Sequence, residues 1–299
     1  MPKSLDLALG SELKFYDGEV TLRFSERDHA YYLCAGGDLE LIDGVTQTCG
    51  ILDKSMFLIP WAVKKSAEKL LRTMPYETDE LTTEKYAKSI SWTDFEKLVT
   101  DAKRAHKEIL TDASDVGAET HSWIERSIKY AIEHNGGVVE TLHEERPSDK
   151  RAISCGTAAL EWMLSHKVRW LKTESMVYSR KYKYAGTLDG LASVDGILSI
   201  VDWKSSNALR QEYVMQTAAY LEATEEEHNL NIPDRWILRL GKEDGKFEPW
   251  HLGSETTDDD FEAFRLCLTI KRLSAKIAAR IAEDKKAEKE RKKPHAKKS

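Results

Sequence analysis

Residues 184–206 read YAGTLDGLASVDGILSIVDWKSS, and this stretch decides the fold. Apolar residues alternate with other residues on both sides of Asp195-Gly196, a dipeptide that is typical of a two-residue type I′ hairpin turn. A two-residue loop sets a register in which the numbers of paired residues add to 391. Asp189 then lies directly opposite Asp202, and a slip of one residue would turn Asp202 to the other face of the sheet.

Lys204 shares the face of the two aspartates, because side chains two residues apart on a strand point the same way. Both faces of the hairpin also carry large apolar residues: Leu191, Leu198 and Ile200 on the face of the aspartates, and Val194, Ile197 and Val201 on the other. We therefore expect helices to cover both faces, as they cover a central strand of an α/β protein.

Two carboxylates that face each other in a half-buried sheet repel, so the pair needs a compensating charge. A divalent cation supplies one, and carboxylate oxygens suit Mg²⁺ or Mn²⁺. Lys204 would then hold a water nucleophile or stabilise charge on a transferred phosphoryl group. The alternative is a surface cluster in which Lys204 neutralises the aspartates by salt pairing, and the apolar neighbours argue against it.

A histidine and a polar helix face add candidates to this pair of aspartates. His121 shares a helix face with Ile124 and Ile128, so it is either a core histidine or a third ligand. As a ligand it would shift the preference toward Mn²⁺. Gln216 and Tyr220, four residues apart on the helix after the DWK strand, either form a partly buried helix face or hydrogen-bond a phosphate backbone or base edge.

The periodicity of the rest of the chain predicts one α/β domain over residues 1–284, with an N-terminal β-meander and helical elaboration and a long C-terminal helix. Alternation and turn signals predict strands within residues 13–47, 175–204 and 235–252. Helical spacing predicts helices at residues 56–72, 93–111, 116–134, 157–171, 208–227 and 258–284.

The composition excludes several classes of protein. Of the 299 residues, 41% are apolar and 32% charged, which is typical of a soluble globular protein. The sequence contains neither an apolar run long enough for a membrane helix nor a signal-peptide pattern. The four cysteines lie far apart without a CxxC pair, which predicts neither a disulfide framework nor a zinc site and fits a reducing cytoplasm.

The net charge of −6 is unevenly distributed. Residues 285–299 contain eight Lys or Arg and two Glu, which is +6, so the rest of the chain carries −12. This almost apolar-free segment is predicted to be a disordered tail. It serves either solubility or the electrostatic capture of nucleic acid, with Arg180, Lys181 and Lys183 as candidates for a local basic channel.

In the order in which they occur, the motifs resemble those of the RecB-like branch of the PD-(D/E)XK nuclease superfamily. They are His121, the GTLD motif that ends at Asp189, the DWK motif of residues 202–204 and the QTAAY motif of residues 216–220. The resemblance covers residues 116–222 well, within a motif core of about residues 116–252. Residues 45–65 also resemble the start of phage-type exonucleases in this branch.

This resemblance implies a metal-dependent phosphodiesterase that acts on DNA. Its fold would be a central mixed β-sheet flanked by helices, similar to the core of restriction endonucleases. His121, Asp189, Asp202 and the backbone carbonyl of Trp203 would hold the metal, and Lys204 would position or activate water. The resemblance also implies that Gln216 and Tyr220 support the site or contact the DNA strand. It further implies that Glu174 lines the same cleft.

The resemblance also bears on cofactors, partners and alternatives. We expect neither an iron–sulfur cluster, since only Cys267 lies downstream where such relatives have three cysteines, nor ATP, since no GxxxxGK[ST] loop is present. The expected activity is that of a DNA exonuclease in phage or prophage recombination, in the cytoplasm of a bacterium or infected host. A phage recombination or single-strand-binding protein is the expected partner. The alternatives are an endonuclease of the same fold and a non-catalytic DNA-binding adaptor.

Overall fold

The described part of the chain begins with the predicted antiparallel meander. A computed structural model describes residues 12–52, 54–79, 85–206, 208–241 and 247–291. The meander has four strands: β1 (Leu13–Phe15), β2 (Val20–Ser25), β3 (Ala30–Ala35) and β4 (Asp38–Gly44). Each strand pairs antiparallel with the next.

A mostly helical segment follows the meander. Its elements are α1 (Val45–Cys49), α2 (Ser55–Thr73), β5 (Tyr76–Thr78), β6 (Lys85–Ala87), α3 (Trp92–Ala102), α4 (Ala105–His134) and α5 (Lys150–Ser165). Two helices of this segment add almost nothing to the core, since α2 has no buried residue and α3 has only Ala102.

Four boundaries of the predicted helices in this segment are wrong. The helix predicted at residues 93–111 ends at Ala102, and a single 30-residue helix, α4, replaces its last turns and the helix predicted at 116–134. Helix α5 begins seven residues before the predicted start, because the Asp149 carboxylate accepts the backbone N–H of Arg151 and caps it. The predicted end of that helix, at residues 169–171, belongs instead to a strand.

The rest of the chain alternates strands and helices. Its elements are β7 (Arg169–Ser179), β8 (Tyr184–Val194), β9 (Ile197–Lys204), α6 (Gln211–His228), β10 (Asp234–Leu240), β11 (Phe247–Leu252) and α7 (Thr257–Arg291). The predicted hairpin at 235–252 is confirmed by the antiparallel pairing of β10 with β11, and residues 242–246 of its loop lie outside the described residues.

The β8–β9 hairpin has the predicted turn and register. Its two turn residues, Asp195 and Gly196, have positive φ angles of 50° and 91°, as a type I′ turn requires. Pairing extends from the turn to Gly190 and Val201 with the expected register. The ladder ends there, one pair before the expected opposition of Asp189 and Asp202.

Strand β8 is the centre of a nine-stranded mixed sheet of order β1-β2-β3-β4-β8-β9-β10-β11, with β7 also paired to β8. Ala185 pairs with β4 and Gly190 pairs with β9, and both residues also pair with β7. Strands β4 and β9 therefore occupy the same edge of β8, at different positions along it. Residues 186–189, which are the GTLD motif, lie between those two positions.

Helices cover both faces of this sheet, as predicted. Leu188 and Ile200 lie in one core with Phe264 of α7 and side chains of α6. Val201 lies in a second core with Trp162 of α5 and side chains of α4. The architecture is thus the expected mixed α/β fold, a central mixed sheet between helices with a long C-terminal helix.

Helix α7 continues beyond its predicted end. It runs to Arg291 and so includes residues 285–291 of the predicted tail, whereas residues 292–299 lie outside the described residues. Within the part of the chain that the structure describes, no helix combines the length and apolarity needed to cross a membrane.

Candidate active site

The side chains of three sequence-predicted residues meet where β8 and β9 separate. The Asp189 carboxylate accepts the backbone N–H of Trp203 at 2.8 Å, in place of the next backbone pair of the ladder. Lys204 Nζ lies 2.6 Å from Asp202 Oδ2, and it also lies over the ring of Tyr213, 5.1 Å from its centroid. The hairpin register therefore brings both carboxylates and the lysine to one place.

Asp202 is fully buried. Apart from the contact of Oδ2 with Lys204, neither carboxylate oxygen has a hydrogen-bond partner among the described residues. A buried carboxylate oxygen without a partner is costly, because folding removes the water that would solvate it. Its unpaired Oδ1 is therefore the kind of atom that a bound cation would satisfy.

The long helix α4 brings His121 to the same place from the other side of the sheet. His121 Nδ1 lies 3.9 Å from Asp189 Oδ2. Burial, with a further contribution from the charge of Lys204, lowers the pKa of His121 to about 4. The imidazole is therefore neutral at pH 7, which is the form that binds metals.

Glu174 completes a group of three candidate ligands. One ligand atom each from His121, Glu174 and Asp189 lies within 4.8 Å of the other two. Asp202 is not among these three, although the resemblance assigns it to the metal. Glu174 lies opposite Asp189 on the preceding strand, since its neighbours Thr173 and Ser175 pair with Gly190 and Leu188.

The backbone is distorted where Glu174 and Asp189 face each other. Glu174 has a positive φ of 45°, which is uncommon for a residue other than glycine and is often found at functional sites. Leu188 and Leu191 both belong to the core beside α6 and α7, so the two-residue alternation is interrupted between them. A regular alternating strand would have placed these two leucines on opposite faces.

Burial and mutual repulsion perturb the carboxyl groups. Burial raises the pKa of Asp202 to about 7, against the opposing effect of the Lys204 charge, and the charge of Asp189 raises it further. Glu174 is exposed as a residue, but partial burial of its carboxyl group, together with the charge of Asp189, raises its pKa to about 8. The pKa of Asp189 is also raised by burial, whereas Lys204 and the Trp203 N–H lower it.

Helix α6, which contains the QTAAY motif, lies beside this region. Gln216 Nε2 donates to the Tyr220 hydroxyl at 2.7 Å and to Thr46 Oγ1 at 3.3 Å, which links α6 to α1. Tyr220 is only 2% exposed, so of its two predicted roles site support fits it better than direct contact with a DNA strand. Gln216 is partly exposed.

Glu125 is a nearby acidic group that sequence reasoning missed. Its charge raises the pKa of both Glu174 and Asp189, and it forms an ion pair with Lys129 on α4. Its spacing of four residues from His121 was an available signal, because residues four apart lie on one helix face.

Close packing requires a glycine at position 186, the first residue of the GTLD motif. A Cβ atom at this position would lie 2.6 Å from Tyr220 Cε1 and 3.0 Å from Val45 Cγ2.

We expect Gly186→Ala to lower the free energy of unfolding by about 1–3 kcal/mol through overpacking. Chemical denaturation measures this change, with Gly44→Ala as the control because its Cβ would meet atoms only at 3.6 Å or more. Equal stability of the two variants would contradict the packing argument.

The raised pKa values predict how cation binding depends on pH. Protons compete with a cation for Asp202 and Glu174 while the pH is below their pKa values of about 7 and about 8. We therefore expect affinity for Mn²⁺ to rise between about pH 6 and pH 9. Isothermal titration calorimetry would measure it, and Glu174→Gln should flatten the upper part of the profile. An affinity that stays constant over this range would count against the site.

Comparison with known proteins does not assign this chain to a family. No protein-family model and no curated protein matches the chain. Solved structures do match, among them a candidate exonuclease from Eubacterium rectale with 13% identity and a TM-score of 0.34, over 52% of this chain and 64% of that one. A protein named SSO0001 has 14% identity and a TM-score of 0.24, over 49% of this chain and 73% of its own. This chain thus spans less than two thirds of the Eubacterium protein, and likenesses this low carry no argument about activity.

Proposed function

We propose that this protein is a metal-dependent deoxyribonuclease that hydrolyses phosphodiester bonds from DNA ends. The observation that carries the proposal is the meeting of His121, Glu174 and Asp189 next to the buried Asp202–Lys204 pair. DNA as the substrate, attack from an end and a place in phage or prophage recombination rest on the motif resemblance, as does a recombination or single-strand-binding protein as partner.

The charges of the cluster favour a cation over simple salt pairing. Lys204 contacts Asp202 and its charge acts on Asp189, whereas the charge of Lys129, itself paired with Glu125, acts on Glu174. These four carboxyl groups face two ammonium groups, so the ionised cluster keeps a negative charge that a divalent cation would balance. Burial raises the pKa of each of the three candidate carboxyl groups, and the charges of neighbouring carboxylates raise it further.

The donor set fits Mg²⁺ or Mn²⁺. His121, Asp189 and Glu174 would hold the ion, and Asp202 and the Trp203 carbonyl would complete the set that the resemblance implies. Carboxylate oxygens suit both ions, and the neutral imidazole favours Mn²⁺. When bound, such an ion polarises a phosphodiester and lowers the pKa of water.

The other side chains position the substrate and the nucleophile. Lys204, held against Asp202 and the Tyr213 ring, would donate a hydrogen bond to the attacking water or to a phosphate oxygen. Tyr220 would hold Gln216 in place through their 2.7 Å hydrogen bond, so that the partly exposed amide can reach the DNA backbone.

Removing either member of the buried pair should abolish cleavage. We expect Asp202→Asn and Lys204→Met to slow the release of nucleotides from end-labelled DNA with Mn²⁺ or Mg²⁺ by at least about a hundredfold. Asp195→Asn and Lys172→Met are the matched controls and should leave the rate unchanged. Asp195 occupies the hairpin turn, where asparagine is equally suited, and Lys172 is an exposed residue of β7. Full activity of Asp202→Asn or Lys204→Met would refute the proposed mechanism.

The form of the DNA distinguishes the proposed exonuclease from its alternatives. We expect linear DNA to be degraded and covalently closed circles to persist under the same conditions, as followed by gel electrophoresis. Cleavage of circles as fast as linear DNA would identify an endonuclease. DNA binding without turnover in any divalent metal would identify a non-catalytic adaptor. Binding without cleavage in Ca²⁺, with cleavage in Mn²⁺, would support the metal site.

A further inference from the structure

A tyrosine of the N-terminal meander contacts the strand that carries Asp189. Tyr31 lies on β3 and Thr187 on β8, and their hydroxyl oxygens are 3.0 Å apart although 156 residues separate them in sequence. Thr187 is the second residue of the GTLD motif, two positions before Asp189. The contact therefore links the meander, which has no part in the proposed function, to the candidate active site.

Thr187 and Asp189 point to the same face of β8. Leu188 between them lies in the core beside α6 and α7, and successive side chains on a strand point to opposite faces. The face opposite that core is the one from which α4 brings His121 to within 3.9 Å of Asp189. Two residues of a strand span about 6.6 Å at roughly 3.3 Å per residue. The hydroxyl pair of Tyr31 and Thr187 therefore lies next to the candidate metal ligands, farther along the same face of β8.

The side chains along this face are accessible to a ligand. Tyr31, Thr187 and Asp189 are each partly exposed, and Glu174, which lies opposite Asp189, is exposed. The ring of Tyr31 packs against the ring of Phe24, with 4.9 Å between the two centroids. An extended ligand that reaches the candidate metal ligands can therefore also contact a hydroxyl group whose position is fixed by packing.

The hydroxyl pair has one O–H group left to donate to a ligand. Each hydroxyl can donate one hydrogen bond, and one of the two donates to the other. Within the residues that the structure describes, neither Tyr31 nor Thr187 has another hydrogen-bond partner. Burial raises the pKa of Tyr31, and the charge of Glu174 raises it further although the Thr187 hydrogen bond lowers it, so the phenol keeps its proton at neutral pH. The pair therefore offers an uncharged donor to an acceptor such as a phosphate oxygen.

We propose that Tyr31 and Thr187 bind a phosphate next to the scissile one in the DNA strand being degraded, a role that rests on the proposed nuclease function. The spacing of Thr187 from Asp189 along β8 is close to the distance between successive phosphates of one strand. Tyrosine and threonine hydroxyls are common donors to phosphate oxygens. Uncharged donors also suit this position, because the nearby carboxylates would attract a lysine or arginine and weaken its attraction for phosphate.

Tyr31→Phe tests this contact, because it removes the hydroxyl and keeps the ring. We expect it to weaken the binding of fluorescein-labelled linear DNA in Ca²⁺ about three- to tenfold through the loss of one hydrogen bond, as fluorescence anisotropy measures. With Mn²⁺, KM should rise by the same factor and kcat should change little. Tyr32→Phe is the matched control, because the next side chain along β3 points to the other face. Calorimetry should show unchanged affinity for Mn²⁺ in both variants.

A neutral methylphosphonate in the DNA identifies the phosphate that the hydroxyl pair contacts. It is placed in turn at each of the two phosphates that flank the scissile one. At one of these positions we expect the wild type to lose affinity and Tyr31→Phe to lose much less, because both changes remove the same contact. Independent effects at both positions, or equal DNA affinity of the wild type and Tyr31→Phe, would overturn the proposal and leave the nuclease function intact. A wild-type protein that neither binds nor cleaves DNA would overturn both.

Discussion

The carboxylate of Asp202 is fully buried at the end of a strand with apolar cores on both sides. Burial of a carboxylate opposes its ionisation, and the Lys204 contact at 2.6 Å compensates only part of this cost. The surrounding features depend on this constraint. Strand β9 pairs with β10 as far as Lys204, the side chain of Lys204 contacts this carboxylate, and a further positive charge would favour ionisation of the adjoining acidic groups.

The sheet creates the space for that charge by separating two strands. β4 and β9 pair with different parts of the same edge of β8, and Asp189 lies between them with its carboxylate bonded to the Trp203 N–H. Glu174 on β7 has left-handed backbone geometry at the level of Asp189. Helix α4 then brings the neutral imidazole of His121 within 3.9 Å of Asp189. Regular pairing of all three strands would have closed this space with backbone hydrogen bonds.

A second notable feature is an exposed apolar surface on α7, near the other end of the described chain. Helix α7 uses Phe261, Phe264 and Leu268 to cover the sheet beside α6, and apolar side chains on its outer face, among them Leu273 and Ile277, stay exposed. Residues 285–291 of the predicted basic tail thus belong to the same helix as the acidic first turn at Asp258–Asp260. The net charge of −6 conceals this uneven distribution.

The sequence by itself determined the features that depend on near neighbours in the chain. Asp195-Gly196 dictated the turn, the turn dictated the register as far as Gly190 and Val201, and the two-residue period of β9 placed Asp202 and Lys204 on one face. Only the tertiary structure decided the contacts between distant elements. It brought Glu174 into the ligand group, buried Tyr220 and Asp202, joined the last turns of one predicted helix to the next as α4 and separated β4 from β9. Backbone distortion and packing between elements set these positions, and neither leaves a periodic signal in the sequence.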